Sequence, residues 1–442
     1  MTRPAWSSLA AVAMLLSACA HLDPEDRAPR TDPVARLSPS GPSPWQVDFE
    51  DPALSDLLRG ADLGALDIKI ALARLARARA DVAEARAQRA PHVSIGAEGA
   101  VGGVDFHDAR SAATPAFEAT YEVDLWGRLA RGEDAAVHDQ AAADADVAAA
   151  RLLVAADTVR AFAALRSAQD AIEGYAHRKE LASRALALTQ RRASEGAAEP
   201  GAVGAAQLAL DRAGAGLEAA REDEKLEVAT LGDLLGRPGI AVPLGPPLAE
   251  DRAVPTTGSE IIANRPDVRA AFARLQAADA RRAQAVASSR PQLQLSALLG
   301  APDAAIATLL DVRSLAWAVA ASLSHSLLDG GAARARVHAA GADADVADLQ
   351  YRKAVLAGWS DVRTALVDQA RARRELAAAR TAKALAGDSV RLQAARHREG
   401  ATDGLDTVAA GVAVEAAQDQ LRAARLAAVE ARVRIALATG GL

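Results

Sequence analysis

The chain has 442 residues, half of them hydrophobic but only 3% aromatic, with a formal net charge of −6. That mild acidic balance, with arginines interleaved among Asp and Glu, argues against a nucleic-acid binder and reads as solvated helix faces. Alanine, roughly a quarter of the chain, is the best helix former and lets helices approach closely, so long packed helices are expected rather than a thick aromatic core.

The N-terminus carries a positive Arg3, a short apolar segment from Leu9 to Leu16, and then Leu16-Ser17-Ala18-Cys19. This is a secretory signal too short to span a bilayer. Its end resembles a bacterial lipobox, which implies a signal peptide at 1–18, cleavage before Cys19, and lipid on the Cys19 sulfur and amine. Cys19 is the sole cysteine, so no intramolecular disulfide can form. Ala20 follows it where Asp would favour the inner membrane, so the outer membrane is expected. Residues 19–44 then form a lipidated, proline-rich tether. No later segment offers the ~18 consecutive apolar residues of a membrane helix, so any crossing must be made by strands.

Residues 45–240 form a first structural repeat. A helical stretch from Asp67 to Pro91 opens it. Strands follow at about 91–103 and 114–127, where Val93, Ile95, Phe117, Tyr121 and Val123 alternate with small or polar residues. A helix from about 128 to 192 would reach roughly 90–100 Å if continuous. It breaks at Arg192–Gly201, and a return helix runs to about Leu235. Residues 241–262 are a proline-rich linker, since proline forbids a continued helix.

Residues 263–442 repeat the plan: a helix from Asp267 to Pro291, strands at about 291–300 and 314–329, a helix at about 332–398, a break at Arg396–Gly404 and a return helix. Asp67, Ala73-Arg-Leu75 and Pro91 recur 200 positions later, Gly127 recurs as Gly330, and Arg192 with Gly196 recurs as Arg396 with Gly400. Alanine-rich composition alone would give drifting matches; this register indicates a duplicated helix-strand-strand-long helix-helix unit. A strand pair cannot span lipid with its edges open. Four strands also cannot close a conducting barrel, since about eight merely fill with side chains. The expected fold is therefore mainly α with a membrane β-barrel, in which a homotrimer closes 12 strands above a long α-helical tube.

The chain resembles the outer-membrane efflux channels of the TolC type, in the lipoprotein branch that serves resistance-nodulation-division pumps. The residues that carry the resemblance are Tyr121-Glu-Val-Asp-Leu-Trp-Gly-Arg128, Leu234-Leu-Gly-Arg-Pro238, Asn264-Arg-Pro-Asp-Val-Arg269, Leu328-Asp-Gly-Gly331, Tyr351-Arg352 and Gly440-Gly441, in family order along nearly the whole mature chain. The resemblance implies a passive exit duct for drugs or other small molecules, docked through a periplasmic adaptor protein to an inner-membrane pump. It places a periplasmic gate and tip at Asp406, Asp403, Glu399, Glu195 and Glu199, and adaptor contacts at Arg192, Gly196, Arg396 and Gly400. Three copies of Asp406 would form a charged ring favouring cations; Asp406 also reads as a helix N-cap. Gly127, Gly330 and Gly331 mark the strand-to-helix junctions, where a missing Cβ permits a sharp turn. Asn264 reads as the cap of a helix beginning at Pro266.

At the tips the sequence departs from the family. Ala193 and His397 stand where an aromatic residue is usual, and Ala202 stands where the second repeat has Asp406. Phe106, Phe117, Tyr121, Trp126 and Trp317 are the candidates for an aromatic belt. The histidines lack metal-ligand spacing, Gly99–Gly103 is no phosphate loop, and no nucleophile elbow occurs. No enzyme, cofactor, metal or nucleic-acid partner is therefore expected. A type I protein-secretion channel and a non-conducting coiled-coil tethering lipoprotein remain the alternatives.

Overall fold

The computed structural model describes residues 49, 51–102, 110–248, 260–300 and 316–441. Cys19 with its signal and tether, Phe106 and half of the proline-rich linker lie outside the described residues. Within them the chain runs α1 (Pro52–Gly64), α2 (Leu66–Ala87), β1 (His92–Gly102), β2 (Arg110–Val123), α3 (Arg128–Ser194), α4 (Ala202–Leu234), α5 (Glu260–Asn264), α6 (Pro266–Ser288), β3 (Gln292–Gly300), β4 (Ala316–Ser324), α7 (Ala332–Arg398) and α8 (Gly404–Thr439). Helices α3 and α7 each continue for 67 residues and contain no proline.

Two strands stop earlier than the sequence suggests. β2 ends at Val123 because Asp124 turns inward to accept a 2.9 Å bond from Ala130 N–H at the start of α3. β4 ends at Ser324 rather than near 329, because Asp329 serves the first turn of α7 in the same way.

Contacts divide the chain into two compact units, and each draws on both sequence repeats. Of the described residues, the first holds those within Ala73–Ala143 and Ala271–Tyr351, and the second those within Leu37–Leu72, Asp144–Ala270 and Arg352–Leu442.

The first unit contains the sheet, an antiparallel array in the order β1-β2-β3-β4. Register decides its character. Val93 pairs with Ala119 and Ile95 with Phe117; Phe117 pairs with Leu299 and Tyr121 with Leu295; Leu295 pairs with Ala321 and Leu299 with Trp317. Because side chains alternate along a strand, these residues share one face and make it apolar across all four strands. The rows between them bring together Ser94 and Glu118, Thr120 and Ser296, and Gln294 and Ser322, so the opposite face carries the polar residues, with Leu298 beside Glu118 its large apolar exception. Val93, Ile95, Trp317, Val319 and Leu323 are all at least 65% exposed on the single chain, which leaves the apolar face uncovered. Below the sheet, Ala278, Ala344 and Ala347 with Leu275 form a small core of α6 against α7.

The second unit is a packed set of helices. Asp51 caps α1 by accepting from Ala53 and Leu54 N–H, with Pro52 in the first turn where its missing N–H costs nothing. Phe162, Leu165, Val159, Leu231, Val433 and Ile435 are wholly buried. Helices α3 and α8 pack antiparallel in a strict register. Leu188 lies over Gly404, Leu181 over Gly411, His177 Nδ1 is 2.6 Å from Glu415 Oε1, and Asp170 pairs with Arg422. The positions step by seven, four and seven on both helices, the spacing of a coiled-coil seam. A methyl group at Gly404 would lie 3.2 Å from Leu188 Cδ1, so the glycines are what allow the helices this close. The charged layers then fix the register. A seven-residue slip one way would set Asp170 against Glu415, and the other way His177 against Arg422. The first sets two carboxylates together, and the second takes from His177 the carboxylate it bonds.

Gly216 and Gly214 of α4 separate helix propensity from packing. A methyl group at Gly216 would collide with the ring of Tyr175, whereas nothing lies within 4 Å of one at Gly214. Gly214→Ala should raise the thermal midpoint by the equivalent of up to about 1 kcal/mol. Gly216→Ala should lower it, since overpacking costs about 1–3 kcal/mol. Helical circular dichroism on heating the two variants checks this; equal shifts of the same sign would refute the packing account.

Candidate functional site

The two helix turns of the second unit carry the residues singled out at the tips. Arg192 and Gly196 hold fixed places in one hydrogen-bond motif. Gly196 adopts φ +71°, Ala197 N–H donates to Arg192 O at 2.7 Å, and Gly196 N–H donates to Ala193 O at 3.1 Å. In the second turn Gly400 has φ +70°, Ala401 N–H donates to Arg396 O at 2.9 Å, and Gly400 N–H to His397 O at 3.0 Å. Both are Schellman closures, in which a left-handed residue lets the chain satisfy the last helix carbonyls. The Arg-x-x-x-Gly spacing is thus a turn geometry, with each arginine beside the negative end of its helix.

The turns meet through an ion pair between Arg192 and Asp403, both about one-third exposed. Asp403 is also the N-cap of α8, accepting from Leu405 N–H at 3.2 Å. Asp406 is not the cap: it stands three residues into the turn and closes a capping box by accepting from Asp403 N–H at 3.1 Å. Its side chain stays exposed. Glu195, Glu199 and Glu399 are exposed at the turns as well. At the atypical position, His397 Nδ1 bonds Thr402 O at 2.9 Å and so braces its own turn.

The strand-to-helix junctions lie in the first unit. Gly127 (φ +74°) and Gly331 (φ +91°) each offer the carbonyl that accepts the first bond of the following helix, so Gly331 rather than Gly330 is the structural counterpart of Gly127. Gly330 is also left-handed, at φ +65°. Asp329 accepts from Ala333 N–H at 2.7 Å and Gly331 N–H at 2.9 Å, and these bonds hold its carboxyl below the usual aspartate range. Trp126 Nε1 donates to Pro291 O at 2.7 Å, tying the exit of β2 to the entry of β3.

Asn264 does not cap α6. It ends the five-residue α5, and the residue before Pro266 is Arg265. Arg265 is the member of that motif with the most to hold. Only 7% exposed, it donates to Ala438 O at 2.9 Å, to both oxygens of Asp267 at 3.0 and 2.8 Å, and to Asp361 at 2.9 Å. Burial would raise the Asp267 carboxyl, but the bonds and charge of Arg265 and the Val268 N–H outweigh it and bring it below the ordinary value. Gly440 packs on the Arg265 backbone, which explains a terminal glycine there. The sequence offered no signal for this clamp beyond the Arg-Pro-Asp string itself.

Among the described residues no helix is long and apolar enough to cross a membrane, and no group of three His, Cys, Asp or Glu could hold a metal ion.

Comparisons with known proteins agree with this layout. The family model described as "Outer membrane efflux protein" matches residues 57–237 and 257–441. The chain is 30% identical over 288 residues to outer membrane protein OprJ of Pseudomonas aeruginosa, a stretch covering 63% of this chain and 60% of that relative. It is 26% identical to the antibiotic efflux pump outer membrane protein ArpC of Pseudomonas putida, over 98% of this chain and 95% of the relative. A solved structure described as "Structural insights of the outer-membrane channel OprN" superposes with a TM-score of 0.81 at 27% identity, covering 93% of this chain and 96% of that one.

Two outcomes follow for the turns and the clamp. Asp403→Ala removes a cap and an ion pair and should cost about 1–2 kcal/mol of apparent stability, while Asp403→Asn keeps the cap and should recover most of it. A double-mutant cycle with Arg192→Ala checks the division; a coupling of zero would remove the ion pair from the account. Because the Asp267 carboxyl is lowered in the fold, its contribution is complete above the ordinary aspartate value of about 3.9 and is lost as pH falls through the lowered native value. Arg265→Ala should reduce the thermal midpoint at neutral pH and flatten this acid limb, read from melts between about pH 5 and 2.

Proposed function

Since the chain belongs to the outer membrane efflux protein family, we propose that it is the passive exit duct of a tripartite efflux system, closed by three copies of itself. It is an outer-membrane protein with a TolC-type fold: mainly helical, with strands for a barrel. The observation that carries the reading is the sheet. Its edge strands β1 and β4 each have a partner on one side only, and one whole face is apolar and uncovered. In lipid an open edge leaves backbone N–H and C=O groups unsatisfied, at several kcal/mol each, so β4 of one copy must pair with β1 of the next. Three copies give 12 strands, wide enough for a lumen lined by the polar rows of Glu118, Thr120, Gln294 and Ser296.

The helices support association as well. On α7, Leu356, Trp359 and Leu366 follow in steps of three and seven, and Leu385 and Leu392 in a step of seven, all at least 38% exposed. Such a stripe on a long helix calls for a neighbouring copy. The helix turns would face a periplasmic adaptor, and through it an inner-membrane pump that supplies energy and selects the cargo. Asp406, exposed and held in its capping box, would contribute one carboxylate per copy to a constriction. Lipid on Cys19 would add an anchor. A type I secretion channel would share this architecture, and a neighbouring gene for a pump or an exporter separates the two. A coiled-coil tether has no use for a sheet with an uncovered apolar face.

Light scattering and negative-stain imaging of the detergent-extracted protein should show an elongated trimer; a monomer released without detergent would refute the duct. In planar-bilayer recordings, Asp406→Ala should lower the preference for cations over anions several-fold. Unchanged selectivity would remove Asp406 from the constriction.

A further inference from the structure

An open cleft of about 510 Å³ lies in the first unit, between one face of α6 and the start of α3. Arg282 rises from α6, Arg290 from the turn that follows it and Arg131 from α3, and Trp126 forms one wall. The floor is Ala283 and Ala287, whose small side chains leave the space between the arginines unfilled. Asp279 is the one carboxylate in the lining, and Asp134 stands 3.3 Å from Arg131, so positive charge is in excess. The Arg290 guanidinium stacks over the Trp126 ring at 5.4 Å. Among the described residues no ion pair engages Arg282 or Arg290.

The place of the cleft gives this charge a meaning. Arg290 stands two residues before β3, and Trp126 three residues after β2, so the cleft opens where the apolar-faced strands end. Leu125 and Trp126 are about half exposed there, at 53% and 48%. Exposed Trp and Leu beside arginines are the chemistry of a membrane-water interface, where the ring sits among headgroups. Arginine matches a phosphodiester in planar, bidentate fashion.

The first repeat lacks the feature. Val82 and Ala90 stand where the second has Arg282 and Arg290, and its own Arg86 and Arg89 are both bonded to Glu133, at 2.8 and 2.5 Å. Arginines that only stabilised the helix pair would be expected to find such a partner.

We propose that this cleft binds the phosphate headgroup of an anionic phospholipid in the membrane leaflet that meets the strand ends, one per protomer. The proposal rests on the strands lying in the bilayer, as argued above. The test is native mass spectrometry of the full-length protein in detergent, with phosphatidylglycerol or phosphatidylcholine added, alongside flotation on vesicles of the two lipids mixed. The wild type should retain phosphatidylglycerol at least tenfold more strongly than phosphatidylcholine. Arg282→Gln/Arg290→Gln should lose that preference while keeping its helical circular dichroism, and Arg391→Gln, on an exposed part of α7, should keep it. Ala283→Leu, which fills the floor without changing charge, should also weaken retention.

Equal retention of the two lipids, or a double variant that still prefers phosphatidylglycerol, would overturn the site. Inorganic phosphate that competes as well as the lipid at equal concentration would make this a free-phosphate site and overturn the lipid assignment. A wild type that does not float would overturn the membrane reading and this proposal together, whereas floating without a lipid preference overturns the proposal alone.

Discussion

How closely two long helices can lie is set by the side chains between them, and along α3 and α8 that contact is made by glycine. Leu188 and Leu181 lie 3.2 and 3.0 Å from where a Cβ would stand at Gly404 and Gly411. The same device holds α4, where Gly216 receives the ring of Tyr175. A helix contact built from Ala and Gly buries little area per residue, so its stability comes from many close contacts over many turns. Length and small side chains therefore belong together: shortening α3 or enlarging its partners would remove the same quantity.

Small side chains hold helices close but discriminate poorly between registers, and charge supplies what they lack. Arg178 bonds both the Glu415 carbonyl and the Asp419 carboxylate, and Arg422 bonds Asp419 and faces Asp170. Arg422 is only 9% exposed, so removing its carboxylate partners would leave a desolvated guanidinium unpaired, which costs more than the pairing contributed. Arg265 plays a similar part at the start of α6, gathering Asp267, Asp361 and the last turn of α8 onto one guanidinium. These arginines determine where helices sit.

The sheet obeys the opposite rule. Its apolar face and open edges are unstable on a single chain in water, and they become favourable only in lipid and in company. That incompleteness is the functional statement of the molecule.

Much of this was legible in the chain of residues. Alternation at Val93-Ser-Ile95 and Leu293-Gln-Leu295 marks strands, and the recurrence of Pro91 as Pro291 marks the duplication. Long proline-free runs fix α3 and α7, and Arg-x-x-x-Gly fixes two helix ends, because propensity, alternation and left-handed glycine are local properties. Local reasoning failed where a side chain's partner lies far along the chain. Asp403 and not Asp406 is the cap, because the choice depends on where the preceding turn delivers the backbone. Gly331 replaces Gly330 as the partner of Gly127 for the same reason. Arg265, Arg422 and the cleft of Arg282 and Arg290 were invisible, since the worth of an arginine depends on which carboxylates and carbonyls surround it. The sequence by itself determined the elements and their duplication, through interactions that reach no further than a turn of helix. Only the tertiary structure decided the register between helices, the shared apolar face of the four strands and which charges are satisfied, because each depends on distances between segments remote in the chain.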